Sequence, residues 1–220
     1  LDLQKILIGA LISEEEIRSV ILNARNNQMG FHCVIDLTHP FATKITPAIS
    51  KICKELDQPF IRFERAIENI SDAFLIKKFS DLGKYHLKNK SILFAIGVRQ
   101  LQEAIFFSRD LGANVYARVL ANPESIKKAL SSSIIKTNLA VLNPSRSNDG
   151  EFEKALLRKW SIDGVVCRQS GGRNEILWHQ ICSTMGIDLW LLERPFQTQN
   201  INSIDNYEKL IKRLKSISME

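Results

Sequence analysis

Two short stretches hold the residue types best suited to chemistry. Asp36-Leu37-Thr38-His39-Pro40 brings together a carboxylate, a hydroxyl and an imidazole that titrates near neutrality, with a proline to stiffen the turn. Arg168-Gln169-Ser170-Gly171-Gly172 joins a fixed cation to a glycine turn. There backbone N–H groups can come close to an anion, and a following helix would offer its positive end. Each stretch also has a plainer reading. Asp36 and Thr38 suit the capping of a helix opening at Phe41, His39 suits a satisfied loop position, and Gly171-Gly172 suits an ordinary strand-to-helix turn. Ser170 is a poor nucleophile candidate, because Gly-x-Ser-x-Gly is absent.

Both stretches need a scaffold, and the flanking sequence supplies one. Each follows an apolar run of strand length, His32 to Asp36 and Gly164 to Cys167, and each precedes a helical pattern. Ser13 and Glu16 form a capping box for a helix over Glu14 to Asn26. A helix runs from about Phe41 toward Leu56, with Pro47 bending it or delaying its start. Pro59 turns the chain into a strand at Phe60 to Glu64. Glu68 to Lys90 is weakly patterned and reads as one helix plus a connection between two halves. Beyond it come strands at Ser91 to Ile96, Val115 to Leu120, Asn138 to Leu142 and Asp188 to Leu192. Helices are expected at Leu101 to Leu111, Pro123 to Leu130, Phe152 to Trp160, Asn174 to Met185 and Ser203 to Lys215, and a loop with Ser145, Ser147 and Gly150. Strand-helix alternation with short connections implies parallel sheets covered by helices. The expected fold is α/β, with two Rossmann-like three-layer halves, residues 1–88 and 89–220, and a ligand cleft between them.

Composition narrows the function classes. The chain has 220 residues, 45% of them apolar, enough for a sizeable core without staples. Its four cysteines include no Cys-x-x-Cys pair and no secretory signal is visible, which points to reduced thiols, no bound metal and a cytoplasmic setting. No apolar run is long enough to span a membrane. The net charge of +6 and pI near 9.2 suit an anionic ligand. Lys and Arg are scattered and no nucleic-acid motif accompanies them, so nucleic acid is not the expected partner.

Five landmarks in order carry a family resemblance: Val34-Ile-Asp-Leu-Thr-His-Pro-Phe-Ala42, Pro59-Phe-Ile-Arg-Phe-Glu-Arg65, Arg118-Val-Leu120, Ser170-Gly-Gly172 and Glu193-Arg-Pro195. Together they resemble the precorrin-6A reductases of cobalamin biosynthesis. The resemblance implies NADPH-dependent hydride delivery to a macrocycle double bond of precorrin-6A, with or without cobalt, giving precorrin-6B. By analogy with the family's loops, Thr38, His39, Ser170, Gly171 and Gly172 would contact the cofactor, and His39 could orient a ligand or supply a proton. Arg62, Arg65, Arg118 and Arg168 would pair with the carboxylates of the anionic tetrapyrrole, a geometry that suits Arg. An arginine in a surface ion pair is the plainer fate for each.

Some positions depart from the family's pattern. Its Gly-rich opening strand and loop are missing, so the first half is expected to be one β-α unit short. Trp178 stands where a Lys is usual, Arg168-Gln169 where Lys and a small polar residue are usual, and Ala66 where Pro is usual. Asn143-Pro144-Ser145 replaces Gly-Pro-Phe. Two other readings stay open: an impaired homologue that binds a tetrapyrrole or dinucleotide without turnover, and another α/β enzyme acting on a phosphate ligand. Which loop meets cofactor, which meets substrate, and the oligomeric state are not set by the sequence.

Overall fold

The computed structural model describes residues 13–67, 72–143, 150–195, 201 and 203–217. The chain divides into two compact units, one made of Leu1–Ala66 with Pro195–Glu220 and the other of Ile67–Arg194.

The first described element of the first unit is α1 (Glu14–Asn26), where the Ser13–Glu16 capping box forms as expected. β1 (Val34–Asp36), α2 (Ile45–Glu55) and β2 (Phe60–Phe63) follow. Alternation along the strands sorts the side chains. Val34 and Phe60 pack with Ile17, Ile21, Ile52 and Cys53 of α1 and α2, whereas Ile35, Ile61 and Phe63 face the opposite side. Pro47 delays α2, which starts at Ile45 and places the proline in its first turn, where its missing N–H costs least.

The second unit is a six-stranded parallel sheet. Its strands are β3 (Phe74–Ile76), β4 (Ser91–Ala95), β5 (Asn114–Val119), β6 (Leu139–Val141), β7 (Gly164–Arg168) and β8 (Asp188–Leu192). They lie in the order β3-β8-β7-β4-β5-β6. The connecting helices are α3 (Leu101–Asp110), α4 (Pro123–Ser131), α5 (Glu151–Lys159) and α6 (Arg173–Met185). Leu93, Val165, Cys167, Leu189 and Leu191 meet Leu157 of α5 and Trp178, Ile181 and Cys182 of α6 in one core. Ile92 and Phe94 alternate to the other face, where Phe94 packs edge-on against Phe79. The chain then returns to the first unit as β9 (Ser203–Ile204), parallel to β2, and α7 (Tyr207–Ile217), whose Leu210 packs on Ile61 and Phe63.

The α/β class and parallel sheets are as expected, and three differences have physical causes. The segment read as a helix after residue 68 holds β3 and a 3-10 turn at Phe79–Lys84 among its described residues. Phe74-Leu75-Ile76 is too short to show a period, and it becomes a strand by pairing with β8. A single break near residue 88 therefore does not describe the chain: that pairing puts β3 in the second unit, and the apolar stripe of α7 puts the carboxyl end in the first. The closing helix starts at Tyr207 rather than Ser203, because Ser203 and Ile204 pair with β2. The expected loop residues Ser145 and Ser147 lie outside the described residues.

One glycine is fixed by packing alone. A Cβ on Gly164 would sit 2.1 Å from Cζ3 of Trp190, a side chain that is 2% exposed. Gly164→Ala is expected to destabilise the fold by about 1–3 kcal/mol, the usual range for overpacking, read as a lower urea midpoint at unchanged slope. An unchanged midpoint would mean that the indole moves aside freely.

Candidate active site

Asp36 is the last residue of β1 and stands in register with Arg62 on β2, so the two side chains share a face of the sheet. Both are fully buried, with Arg62 Nη1 3.0 Å from Asp36 Oδ1. A buried carboxylate needs donors on both oxygens. Asp36 Oδ1 also accepts the Thr38 N–H at 2.9 Å, and Oδ2 accepts the Thr46 hydroxyl of α2 at 2.6 Å. Arg62 Nη1 further donates to Thr38 Oγ1 at 3.0 Å, and the Thr38 and Thr46 hydroxyls lie 3.3 Å apart. The stretch from Asp36 to Thr38 is thus tied to β2 and α2 by side chains. Asp36 and Thr38 do not cap α2 at its first residue, since Lys44 holds the N-cap position without a side-chain bond.

His39 is exposed beyond this network. The Phe41 N–H donates to its Nδ1 at 3.2 Å, so the neutral ring carries its hydrogen on Nε2. The His39 carbonyl accepts the Ala42 N–H at 2.7 Å and closes a tight turn. Leu37, between the tied residues, is 63% exposed. Arg65 is exposed just past the end of β2.

In the second unit the strand order sets the place. β4 and β7 lie side by side, and the connection from β4 runs to β5 on one side while that from β7 runs to β8 on the other. In an open α/β sheet that reversal opens a crevice at the carboxyl ends of the strands. The loops there are Ile96 to Gln100 after β4 and Gln169 to Gly172 after β7. Arg168 Nη2 donates to Gln100 Oε1 at 3.3 Å and joins them. Burial, and then the nearby charge of Arg99, lower the pKa of Arg168, so two cations share this edge. Gly97 turns with φ of 74°, and a Cβ added there would meet nothing within 4 Å, so open space adjoins the turn.

The glycine turn after β7 is held from several sides. Gln169 donates its N–H to Leu192 O at 3.0 Å and accepts at its carbonyl from Arg194 Nε at 2.9 Å. Gly171 adopts φ of 61°, the left-handed region open to glycine. Its N–H donates to Glu175 Oε2 at 2.6 Å, and Glu175 is 1% exposed in the first turn of α6. A carboxylate of the chain itself therefore holds the position at the helix's positive end that an anion would take. Beneath it, burial foremost and then Glu175 raise Cys167 well above the ordinary thiol value.

Three expectations change on this geometry. Arg62 is fully buried against Asp36 and cannot reach a dissolved ligand. Arg118 on β5 is 3.2 Å from Glu153 of α5, with side chains only 11% and 5% exposed, so its charge is met inside the fold. The Gly171 N–H, expected to face a ligand, is taken by Glu175. Strand periodicity could have located both arginines: each sits inside an apolar strand, where a charge calls for an internal partner. The Gly97 to Gln100 loop carries no recognisable motif. Its signal was the same strand, glycine and helix pattern as the loop after β7. Among the described residues no group of three or more His, Cys, Asp or Glu side chains could hold a metal, and no helix is long and apolar enough to cross a membrane.

Removing one member of a buried ion pair strands the other. Arg118→Met is expected to cost about 3–5 kcal/mol in urea unfolding, and adding Glu153→Leu to recover most of it. Equal loss in both variants would show that packing, not charge, dominates there.

Comparison with known proteins agrees with this architecture. The model of the family described as precorrin-6x reductase CbiJ/CobK matches residues 3–215. A cobalt-precorrin-6A reductase of Synechocystis sp. is 30% identical over 168 residues, 74% of this chain and 63% of that one. The corresponding protein of Methanococcus maripaludis is 28% identical over 183 residues, 80% of this chain and 68% of that one. A solved CobK precorrin-6A reductase superposes with a TM-score of 0.70 at 18% identity, covering 91% of this chain and 78% of that one, and so shares the fold. The match spans less than two thirds of the Synechocystis protein, at 63% of its length.

Proposed function

Because this chain belongs to the precorrin-6x reductase CbiJ/CobK family, we propose that it reduces a double bond of the precorrin-6A macrocycle with NADPH as hydride donor. The family match over residues 3–215 carries the reading. The open turn at Gly97 and the cations Arg99 and Arg168 at the strand reversal suit an anionic ligand and support it. NADPH, when bound, supplies the hydride and carries the difficult chemistry.

The task left to the protein is to bind and orient. His39, Ser170 and Gly172 are the proposed cofactor contacts. Thr38 and Gly171 serve the same loops from within, Thr38 through Arg62 and Gly171 through Glu175. Arg65 and Arg168 are the proposed partners of phosphate or carboxylate oxygens, where a planar guanidinium can form paired hydrogen bonds. Holding the reacting carbons in line supplies much of the rate without a catalytic triad. The neutral His39 ring orients a ligand oxygen through its Nε2–H, and the imidazolium form would deliver a proton and return to the neutral ring after the hydride has moved.

NADPH titrated into the chain in a calorimeter should bind at one site per chain, and His39→Ala should weaken NADPH or precorrin-6A binding about tenfold, the worth of one well-placed hydrogen bond. Absence of NADPH binding together with tight binding of another phosphate ligand would replace the reductase by a different α/β enzyme. Unchanged affinities and turnover in His39→Ala would return His39 to a loop role.

A further inference from the structure

The polar network under the first loop has a direction. Carboxylate oxygens only accept and guanidinium nitrogens only donate. Thr46 has one hydroxyl hydrogen, and it goes to Asp36 Oδ2 at 2.6 Å. The 3.3 Å bond between the two threonines must therefore be donated by Thr38. Thr38 in turn accepts from Arg62 Nη1 at 3.0 Å, and Arg62 closes the circuit on Asp36 Oδ1 at 3.0 Å. Two donor paths therefore leave Arg62 and converge on Asp36 to close the ring, one direct and one relayed through Thr38 and Thr46. Bonds in such a ring polarise one another, and they do so here out of water, since Thr46 and Arg62 are 0% exposed.

The ring uses both roles of the Thr38 hydroxyl, so Thr38 is held rather than presented. Leu37 and His39, on either side of it, are exposed. Asp36 and Thr38 bond this loop to β2 and α2, and the Phe41 and Ala42 N–H groups donate to His39 within the loop. We infer that Thr46 and Arg62 are positioning residues: through Thr38 and Asp36 they fix the loop that carries Leu37 and His39 and hold the His39 ring as its Nε2–H tautomer. The oxygen that this N–H would meet belongs either to the cofactor or to a tetrapyrrole carboxylate. The inference deepens the reductase reading and rests on it for its kinetic arm only.

Thr46→Val removes one hydroxyl at nearly constant volume, and Thr46→Ser keeps the hydroxyl and loses the methyl. Long-range proton–nitrogen NMR of the histidine rings, assigned with His39→Gln, gives a readout without ligand. The wild-type chain and Thr46→Ser should show His39 as the Nε2–H tautomer, and Thr46→Val a mixture of tautomers. In steady-state reduction of precorrin-6A, Thr46→Val should lower kcat about tenfold, as expected for a displaced orienting group, and Thr46→Ser should restore it. A changed KM for NADPH alone would assign the contact to the cofactor, and for precorrin-6A alone to the substrate. A lower melting temperature in Thr46→Val with kcat and the tautomer unchanged would overturn the inference and leave the ring a purely structural device. If Thr46→Val does not fold, Thr38→Val cuts the same ring from the loop side and is read the same way. A wild-type chain that does not turn over precorrin-6A would remove the reductase reading, while the NMR arm would still decide whether the ring holds His39.

Discussion

A carboxylate taken out of water must be given donors, and in this protein that requirement shapes the ends of the strands. Asp36 is buried at the end of β1 and has three polar neighbours, Thr38, Thr46 and Arg62, which the contact between the two threonine hydroxyls links into a closed ring. Glu175 is buried in the first turn of α6 and takes the Gly171 N–H. Glu153 is buried in the first turn of α5 and meets Arg118 of β5. In each case the acid ties a strand end or its loop to a neighbouring element. A buried ion pair adds little net stability over an apolar pair, yet breaking one is costly. Such groups therefore act by fixing geometry, and the loops they fix lie at the carboxyl ends of parallel strands, where α/β proteins bind ligands.

This logic separates residues that hold the loops from residues that can meet a ligand. Thr38 and Arg62 belong to the first group, and His39, Leu37 and Arg65 are exposed beside them. Gly171 and Glu175 hold the turn after β7, and Arg168, joined to Gln100 and close to Arg99, marks the edge of the crevice at the strand reversal. A motif such as Asp-x-Thr-His-Pro thus mixes two kinds of residue. Its first and third positions turn inward, and its second and fourth are exposed.

Much of this was readable from the sequence, and the limits have identifiable causes. The helix over Glu14–Asn26 and the strand-loop-helix units around Asp36 and Arg168 were legible because long apolar periods, a capping box and prolines mark them. β3 and β9 were not, since each is a few residues long and exists by pairing with a strand distant in sequence. The same pairings carry the chain into the second unit at Ile67 and back at Pro195, which no local signal announces. For the site, the loops were found but the partners of the arginines were not. Asp36 with Arg62 requires the β1 to β2 register, and Arg118 with Glu153 requires knowing which helix covers β5. Gln100 and Arg99 became visible only through the strand order, which places β4 beside β7.

The central claim is that hydride passes from NADPH to the precorrin-6A macrocycle on this chain, and isotope transfer tests it most directly. The chain would be incubated with precorrin-6A and NADPH carrying deuterium at the transferring position of the nicotinamide, and the product examined by mass spectrometry. The account predicts a dihydro product holding one deuterium on a macrocycle carbon, formed in step with NADPH oxidation. A reduced product without deuterium, or NADPH left unoxidised beside unchanged precorrin-6A, would contradict it.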